Sequence, residues 1–328
     1  MPSTLLIACI GITFFLSVIL TNWWIKRAKK AQLTGKDMHK ADSKEVAEIG
    51  GLSVLAAFLI GTFIYIGIRT FLFETTKYNI ELMAAILTIS LVAMIGLVDD
   101  ILGWKIGLRQ WQKPILCLFA ALPIMMINAG NSTMEIPFFG EINLGIIYAL
   151  IIVPLTISTA ANAFNMIAGY NGLEAGMGII MLFGISLIVW QVQGLGIYAM
   201  LGAVMIAALL GFLIFNHYPA RVFPGDTLTY SVGALIAVIA ILGNAEKALL
   251  ILFIPYVIQF FIKSRHGWRK ESFGEIEDGH LKNPQQINAL EHLITKIIYI
   301  FKKRVYEYEV VYGAYFIELI FLYLALLI

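Results

Sequence analysis

Charge is scarce in this chain of 328 residues: 13% of them are Asp, Glu, Lys or Arg, whereas 60% are hydrophobic. A net charge of +2 is too small to indicate a nucleic-acid partner, so none is predicted. There are only two cysteines, Cys9 and Cys117, and both lie in apolar runs, which excludes a disulfide framework. The small polar content therefore excludes most classes of soluble protein.

What the chain does contain is a series of long apolar runs. An α-helix needs about twenty apolar residues to cross a bilayer, and ten runs approach that length. They predict an all-α, polytopic integral membrane protein with about ten transmembrane helices in one domain, 1–328. The runs are 5–24, 49–68, 82–98, 114–128, 143–161, 175–193, 196–215, 228–244, 247–262 and 310–328.

Five polar stretches between these runs hold most of the charge, including 20 of the 23 Lys and Arg. Cytoplasmic loops carry an excess of Lys and Arg. The stretches are therefore predicted to be cytoplasmic, with both termini outside. Residues 287–300 are predicted to form an amphipathic helix on the membrane surface, because their apolar residues recur at helical spacing. The five stretches are 26–48, 99–113, 162–174, 216–227 and 263–309.

Three acids lie at the ends of apolar runs. Asp99 and Asp100 end the third run, where they fit either a solvated helix end or a Mg²⁺ site shared with substrate phosphates. Asp226 follows a Pro-Gly pair just before another run. It could cap a helix or bind a metal. The residues alone leave both interpretations open.

The stretch 162–176 contains three Asn and three Gly, and it has no Lys or Arg. Polar backbone at membrane depth is buried in protein or lines a wet cavity. Asn amides donate and accept hydrogen bonds, as recognition of a base or sugar requires. An ordinary helix–turn–helix connection is the alternative. The basic residues of 263–270 fit phosphate or anionic lipid headgroups equally well.

In this order the motifs resemble those of one family over almost the whole chain, the polyprenyl-phosphate N-acetylhexosamine-1-phosphate transferases. Residues 162–176 and 218–227 are most similar to the eukaryotic and archaeal branch, the UDP-GlcNAc–dolichyl-phosphate GlcNAc-1-phosphotransferases. Residues 107–113 are more similar to the bacterial peptidoglycan-precursor branch. The loop at 265–270 departs from the eukaryotic Arg-His-Arg series, because Gly267 and Trp268 follow His266.

The resemblance implies a role for each motif. Asn165 and Asp226 would bind Mg²⁺, with Mn²⁺ as an alternative metal. Asn171 would meet the uracil, and Lys113 the carrier phosphate or pyrophosphate. The implied catalytic residues are Asp99, Asp100, Lys113 and His266, and the implied substrate-binding residues are Met38, Glu48, Asn162, Asn171, Arg265 and Arg269.

The resemblance also implies a reaction. GlcNAc-1-phosphate would pass from UDP-GlcNAc to a polyprenyl (dolichyl) phosphate with release of UMP, as the first membrane step of N-glycan-like assembly. Another UDP-N-acetylhexosamine, or a nucleotide-sugar or lipid transporter without chemistry, is the alternative. Transporters place acids near the middle of their helices, where this chain has only Glu318.

The same resemblance implies a location. An archaeal source is favoured, which would place the protein in the plasma membrane, and a eukaryotic one would place it in the endoplasmic reticulum. Membrane lipids would surround it, and a homodimer is compatible with the sequence.

Overall fold

The computed structural model describes residues 3–40, 45–136, 140–265 and 272–327. Most of these residues are helical, and short antiparallel hairpins occupy some of the connections. The helices are α1 (Ser3–Lys30), α2 (Gly51–Phe71), α3 (Asn79–Ile106), α4 (Gln112–Ala120), α5 (Leu122–Met126), α6 (Val153–Phe164), α7 (Leu173–Gln191), α8 (Gly196–Asn216), α9 (Gly225–Leu242), α10 (Glu246–Leu252), α11 (Ile254–Ser264), α12 (Leu290–Phe301) and α13 (Glu307–Leu326). The paired strands are β1 (Thr34–Lys36) with β2 (Glu45–Ala47), β3 (Thr133–Ile136) with β4 (Gly140–Asn143), and β5 (Ile276–Glu277) with β6 (His280–Leu281).

Seven helices of the described residues are long and apolar enough to cross a membrane: α1, α2, α3, α7, α8, α9 and α13. An eighth candidate is formed by α10 and α11, which are bent by 49° at the break between them. The predicted fourth and fifth runs are helical, but Gln112–Met126 and Tyr148–Phe164 are shorter than the other candidates. A helical integral membrane protein is therefore confirmed, whereas ten crossings and their orientation stay predictions. The hairpins were not predicted, because strands of two to four residues leave no periodic signal.

The central helix is α9, in which every residue from Thr227 to Leu242 is buried. Helices α2, α3, α6, α7, α8 and α10 pack against it. At its start it lies very close to α3, because a Cβ atom added at Gly96 would lie 2.5 Å from the backbone oxygen of Asp226. This packing places Asp226 beside the end of α3, which carries Asp99 and Asp100.

A second connection joins the first polar stretch to the fourth. Ala47 at the end of β2 pairs in parallel with Val222. The backbone N–H groups of Gly50 and Gly51 then donate to the carbonyl oxygens of Phe223 (2.9 Å) and Pro224 (2.8 Å). The start of α2 is therefore tied to the turn that leads into α9.

The predicted amphipathic helix is confirmed as α12. Leu290 and Ile294 are buried on its inner side, whereas Ile300 and Phe301 are 76% and 82% exposed. Contact of this exposed end with a membrane surface stays a prediction. Glu318, the acid in the middle of the last run, is fully buried in α13.

Candidate active site

Two of the three aspartates, Asp99 and Asp226, meet around one lysine. The Lys113 Nζ atom lies 2.6 Å from Asp99 Oδ2 and 2.7 Å from Asp226 Oδ2, and 5.7 Å from the centre of the Tyr230 ring. Helices α3, α4 and α9 each supply part of this cluster. Asp100, which binds the start of α9 beside Asp226, adds a third carboxylate near this one ammonium group, so the ionised cluster carries an excess of negative charge that favours a cation.

A kink in α3 brings the chain back over Asp99. Gly103 has a φ of +68° and ψ of 171°, which interrupts the helix and redirects the chain. The backbone N–H of Leu108 then donates to Asp99 Oδ1 at 2.6 Å. Both carboxylate oxygens of Asp99 are therefore engaged, one by backbone and one by Lys113.

Asp100 points to a different partner, the start of α9. Its Oδ1 accepts from the backbone N–H of Asp226 (2.7 Å), and its Oδ2 accepts from the backbone N–H and the hydroxyl of Thr227 (2.9 and 2.6 Å). The first N–H groups of a helix lack partners within the helix and favour negative charge. Asp100 therefore anchors α9, while Asp226, in the first turn rather than at the cap, faces Lys113.

Gly225 is required by this arrangement. Its φ is +72°, and a Cβ atom there would lie 2.6 Å from Asp100 Oδ2. We expect Gly225→Ala to lower turnover at least tenfold and to lower the melting temperature, because both backbone strain and the clash displace Asp226. Gly67→Ala in α2 is the matched control, since a Cβ atom there would meet no atom within 4 Å. Turnover and thermal melting that are equal in the two variants would contradict this role of Gly225.

The Asn-rich stretch attaches to α9 through two side chains. Asn162 Oδ1 accepts from the Tyr230 hydroxyl at 2.9 Å. Asn165 Oδ1 accepts from the Thr229 hydroxyl at 2.8 Å, and that hydroxyl lies 3.3 Å from the Asp226 backbone oxygen. Asn162 and Asn165 are therefore held next to the Lys113–Asp226 pair.

A cavity of about 270 Å³ opens on one side of this pair. Four of the five polar stretches contribute to its wall, and Glu48 is among the acids that face it. Burial and the negative charge of Asp100 raise the pKa of the Glu48 carboxyl. The residues that carry polar or aromatic side chains to the wall are Lys36, Asp37, Glu48, Asn165, Tyr170, Asn171, Glu174, Asn216, Phe223, Asp226, Thr229 and Phe273.

A second cavity, of about 590 Å³, opens on the other side. Lys113 and Lys263 give it two ammonium groups, whereas Trp111, Pro114 and Phe260 give it apolar wall. Asn165 borders both cavities. The ion pair between Lys113 and Asp226 thus stands between a cavity rich in acids and amides and a basic cavity.

Asn171 lies in a buried hub at the first cavity. Its side chain Nδ2 donates to Asp37 Oδ2 (3.0 Å) and Glu307 Oε2 (3.5 Å), and its backbone N–H donates to Glu307 Oε1 (2.6 Å). The Lys40 ammonium also binds Asp37, at 2.7 Å. Burial alone would raise the pKa of Asp37, but the hydrogen bonds from Lys40, Asn171 and the His39 backbone lower it overall.

Asp37, His39 and Glu307 place three ligand atoms within 4.8 Å of one another, close enough to hold a metal. Their oxygens already accept hydrogen bonds from nitrogen donors, and His39 Nε2 accepts from the Gly274 backbone N–H at 3.1 Å. These contacts make the group a hydrogen-bonded hub that joins the first polar stretch to α13.

The chain is similar to known proteins. Residues 82–244 match the model of glycosyl transferase family 4. A protein of Saccharolobus solfataricus, provisionally named a UDP-N-acetylglucosamine–dolichyl-phosphate N-acetylglucosaminephosphotransferase, is 39% identical over 319 residues, 97% of this chain and 94% of that protein. The chain belongs to glycosyl transferase family 4.

Two further relatives connect this family 4 member to both branches noted in its motifs. The UDP-N-acetylglucosamine–dolichyl-phosphate N-acetylglucosaminephosphotransferase of Dictyostelium discoideum is 31% identical over 270 residues, 70% of this chain and 64% of that protein. A phospho-N-acetylmuramoyl-pentapeptide-transferase of Streptococcus pyogenes is 32% identical over 265 residues, 77% of each chain.

The structure of this family 4 member places most of the predicted site residues together. Asp99, Asp100, Lys113, Asn162, Asn165 and Asp226 form the central cluster, and Met38, Glu48 and Asn171 line the first cavity with Asn165 and Asp226. Arg265 follows α11 with an exposed side chain, and among the described residues no polar contact joins it to the cluster. His266 and Arg269 lie outside the described residues.

Several residues of the site were not predicted from the sequence. Tyr230 lies four residues after Asp226, so helical spacing alone could have placed both on one face of α9. Asp37 and Glu307 are 270 positions apart in the chain, and no local pattern predicts that they meet. Lys263 is one of several basic residues in 263–270, and the sequence does not distinguish it from the others.

Proposed function

We propose that this chain transfers GlcNAc-1-phosphate from UDP-GlcNAc to a polyprenyl phosphate such as dolichyl phosphate. UMP leaves, and GlcNAc remains joined to the lipid by a pyrophosphate. The observation that carries this proposal is the Lys113–Asp226 pair between two cavities of different character. A nucleotide sugar fits the cavity rich in acids and amides, and a lipid phosphate fits the basic cavity with its apolar wall.

The carrier side of the site supplies charge and apolar contact. Lys113 and Lys263 would neutralise the phosphate, while Trp111 and Phe260 would contact the first part of the prenyl chain. The carrier phosphate oxygen would attack the phosphorus bonded to GlcNAc, and the bond from that phosphorus to UMP would break with its electron pair going to UMP. A phosphate monoester has a second pKa of about 6, so the attacking group needs no general base at neutral pH.

A divalent cation fits the residues present. Asp226 offers a carboxylate and Asn165 an amide oxygen, which are the hard ligands that Mg²⁺ prefers, and Mn²⁺ accepts the same set. When bound, the metal would neutralise charge on the pyrophosphate. Asp99 holds Lys113 toward the carrier, and Asp100 holds the start of α9 and hence Asp226 in place.

We further propose that all five polar stretches are cytoplasmic, in a protein with ten crossings and both termini outside, in the plasma membrane of an archaeal cell. The cavities draw on all five stretches, which supports a single shared face. The basic residues of these stretches support the cytoplasmic side.

Labelling tests this orientation. Single cysteines at Lys30, Asn131 and Lys303, all exposed positions, are treated on intact cells with an impermeant thiol reagent. The native cysteines, Cys9 and Cys117, are buried and are replaced by Ala. Asn131→Cys alone should react before lysis, and all three should react after it. Reaction of Lys30→Cys or Lys303→Cys on intact cells would contradict the orientation.

Asn171→Ala is expected to raise KM for UDP-GlcNAc about tenfold, with a smaller fall in kcat and an unchanged KM for the lipid phosphate. Its amide N–H₂ is committed to Asp37 and Glu307, so the amide oxygen is the group that would accept from the uracil. A lost buried hydrogen bond costs about 1–3 kcal/mol. The control is Asn143→Ala on the far hairpin. A change confined to KM for the lipid would show that the Asn-rich stretch contacts the carrier lipid and not the nucleotide.

Purified protein with UDP-GlcNAc, UDP-GalNAc and a polyprenyl phosphate tests the proposed reaction and its sugar. UMP and a lipid-pyrophosphate-GlcNAc product are expected with UDP-GlcNAc. Faster product formation from UDP-GalNAc would reassign the sugar within the same chemistry. Uptake of the nucleotide sugar into vesicles without any product would support a transporter instead.

A further inference from the structure

The segment from Asn165 to Asn171 links α6 to α7, and buried side chains hold its backbone from behind. Gln259 Nε2 donates to the Met166 backbone oxygen at 2.8 Å. Glu174 Oε1 accepts from the Gly169 backbone N–H at 2.9 Å. Since the segment has no helix or strand of its own, these contacts replace the hydrogen bonds that regular structure would supply.

Gln259 also connects this segment to α12. The backbone N–H of Leu290 donates to Gln259 Oε1 at 2.6 Å, and Gln259 Nε2 lies 3.3 Å from Glu291 Oε2. Both Gln259 and Glu291 are 0% exposed. One amide thus bridges three separate parts of the chain: the Asn-rich segment, α11 and the start of α12.

Glu291, in α12, supports Gln259 through the contact with its Nε2 atom. Burial raises its pKa to about 7, while the Lys263 charge, Gln259 and the Ala168 backbone N–H favour the ionised form. Lys263 itself lines the second cavity. Neither Gln259 nor Glu291 lines either cavity, so neither reaches a substrate.

Partial loss of this hydrogen-bond network destabilises the folded protein, because it leaves polar groups without partners. Replacing Gln259 by an apolar residue would remove the partner of the half-buried Met166 oxygen and leave the buried Leu290 N–H without an acceptor. The segment would then lose its link to α11 and α12, and Asn165 and Asn171 would be held less firmly at the first cavity. A small displacement is sufficient to impair phosphoryl transfer, which depends mainly on positioning.

We propose that Gln259 and Glu291 are positioning residues, which clamp the Asn165–Asn171 segment to α11 and α12 and thereby fix Asn165 and Asn171 at the first cavity. The catalytic part of this inference rests on the proposed function. The structural part, that the clamp orders the segment, does not.

The test uses Gln259→Leu, which keeps the side-chain size and removes the hydrogen bonds. Tyr256→Phe is the matched control: it lies one turn earlier in α11, it is buried, and its hydroxyl has no partner among the described residues. Glu291→Gln is the conservative variant and Glu291→Leu the disruptive one. Backbone hydrogen exchange of the peptide covering 165–172 is measured together with kcat and both KM values.

We expect Gln259→Leu to speed exchange of that peptide at least tenfold, to lower kcat at least tenfold and to raise KM for UDP-GlcNAc, with KM for the lipid phosphate changed less than threefold. Glu291→Leu should behave alike, whereas Glu291→Gln should keep at least half of the wild-type kcat and Tyr256→Phe should match the wild type. A merely structural role would instead speed exchange throughout α7 and α8 and lower activity only in proportion to the folded fraction.

Wild-type exchange of the 165–172 peptide in Gln259→Leu would overturn the clamp. Faster exchange with an unchanged kcat would overturn the positioning role of the clamp. Faster exchange throughout α7 and α8 would overturn it as well. If the wild-type protein forms no product from UDP-GlcNAc, the proposed function fails, but the exchange comparison still decides whether the clamp orders the segment.

Discussion

Asp226→Asn is expected to lower turnover about 100- to 1000-fold, the cost typical of removing one preorganised electrostatic group from an active site. The change removes the negative charge that binds the Lys113 ammonium at 2.7 Å and the carboxylate ligand proposed for Mg²⁺. The protein should stay folded, because an amide fills the same space and the anchor from Asp100 to the start of α9 uses backbone N–H groups.

Release of UMP and the melting temperature are the measurements, and Asp278→Asn is the matched control, since Asp278 lies in the turn between β5 and β6 and borders neither cavity. Excess EDTA should stop the wild-type enzyme, and added Mg²⁺ should restore it. Near-normal turnover of Asp226→Asn would show that this carboxylate is not part of the reaction. Full turnover in EDTA would contradict the proposed need for a divalent cation.

Asp100→Asn is expected to lower kcat about 100-fold and to lower the melting temperature as well. Its two oxygens accept three hydrogen bonds from Asp226 and Thr227, and an amide would turn N–H₂ toward at least one of these donors. An unpaired buried donor costs about 1–3 kcal/mol, and it would shift the start of α9 and Asp226 with it.

Thr227→Val separates anchoring from acid–base catalysis by Asp100. It removes one of the three hydrogen bonds and leaves the carboxylate intact. If Asp100 anchors α9, Thr227→Val should lower both kcat and the melting temperature by a smaller amount in the same direction. If Asp100 instead takes a proton, Asp100→Asn should lower kcat without destabilising the protein, and Thr227→Val should have no effect.

The central cluster could be predicted from the sequence, because its aspartates and asparagines lie in recognisable motifs at the ends of apolar runs. Their separate roles could not. Asp99 and Asp100 are adjacent in the chain, yet one binds Lys113 and the other binds the start of α9. This difference arises from the kink at Gly103 and the close packing of α3 on α9, which depend on tertiary structure.

Other parts of the site could not be predicted from local sequence patterns, because they too depend on tertiary structure. The partners of Asn171 come from the first and last parts of the chain, and they occupy the amide N–H₂ of the residue that the resemblance places at the uracil. Gln259 lies inside an apolar run and looks like an ordinary membrane residue until its contacts with Met166 and Leu290 are seen. Among the described residues, helix length alone identifies seven or eight of the ten predicted crossings, since helices α4, α5 and α6 are apolar but short.

In the proposed reaction a sugar phosphate, and not the sugar alone, moves to the lipid. UDP-GlcNAc carrying radioactive phosphorus only in the phosphate bonded to GlcNAc distinguishes the two directly. With purified protein and polyprenyl phosphate, the label should enter the lipid phase together with GlcNAc, and the nucleotide product should be unlabelled UMP. Label that stays in the aqueous phase as UDP while GlcNAc enters the lipid would contradict the account.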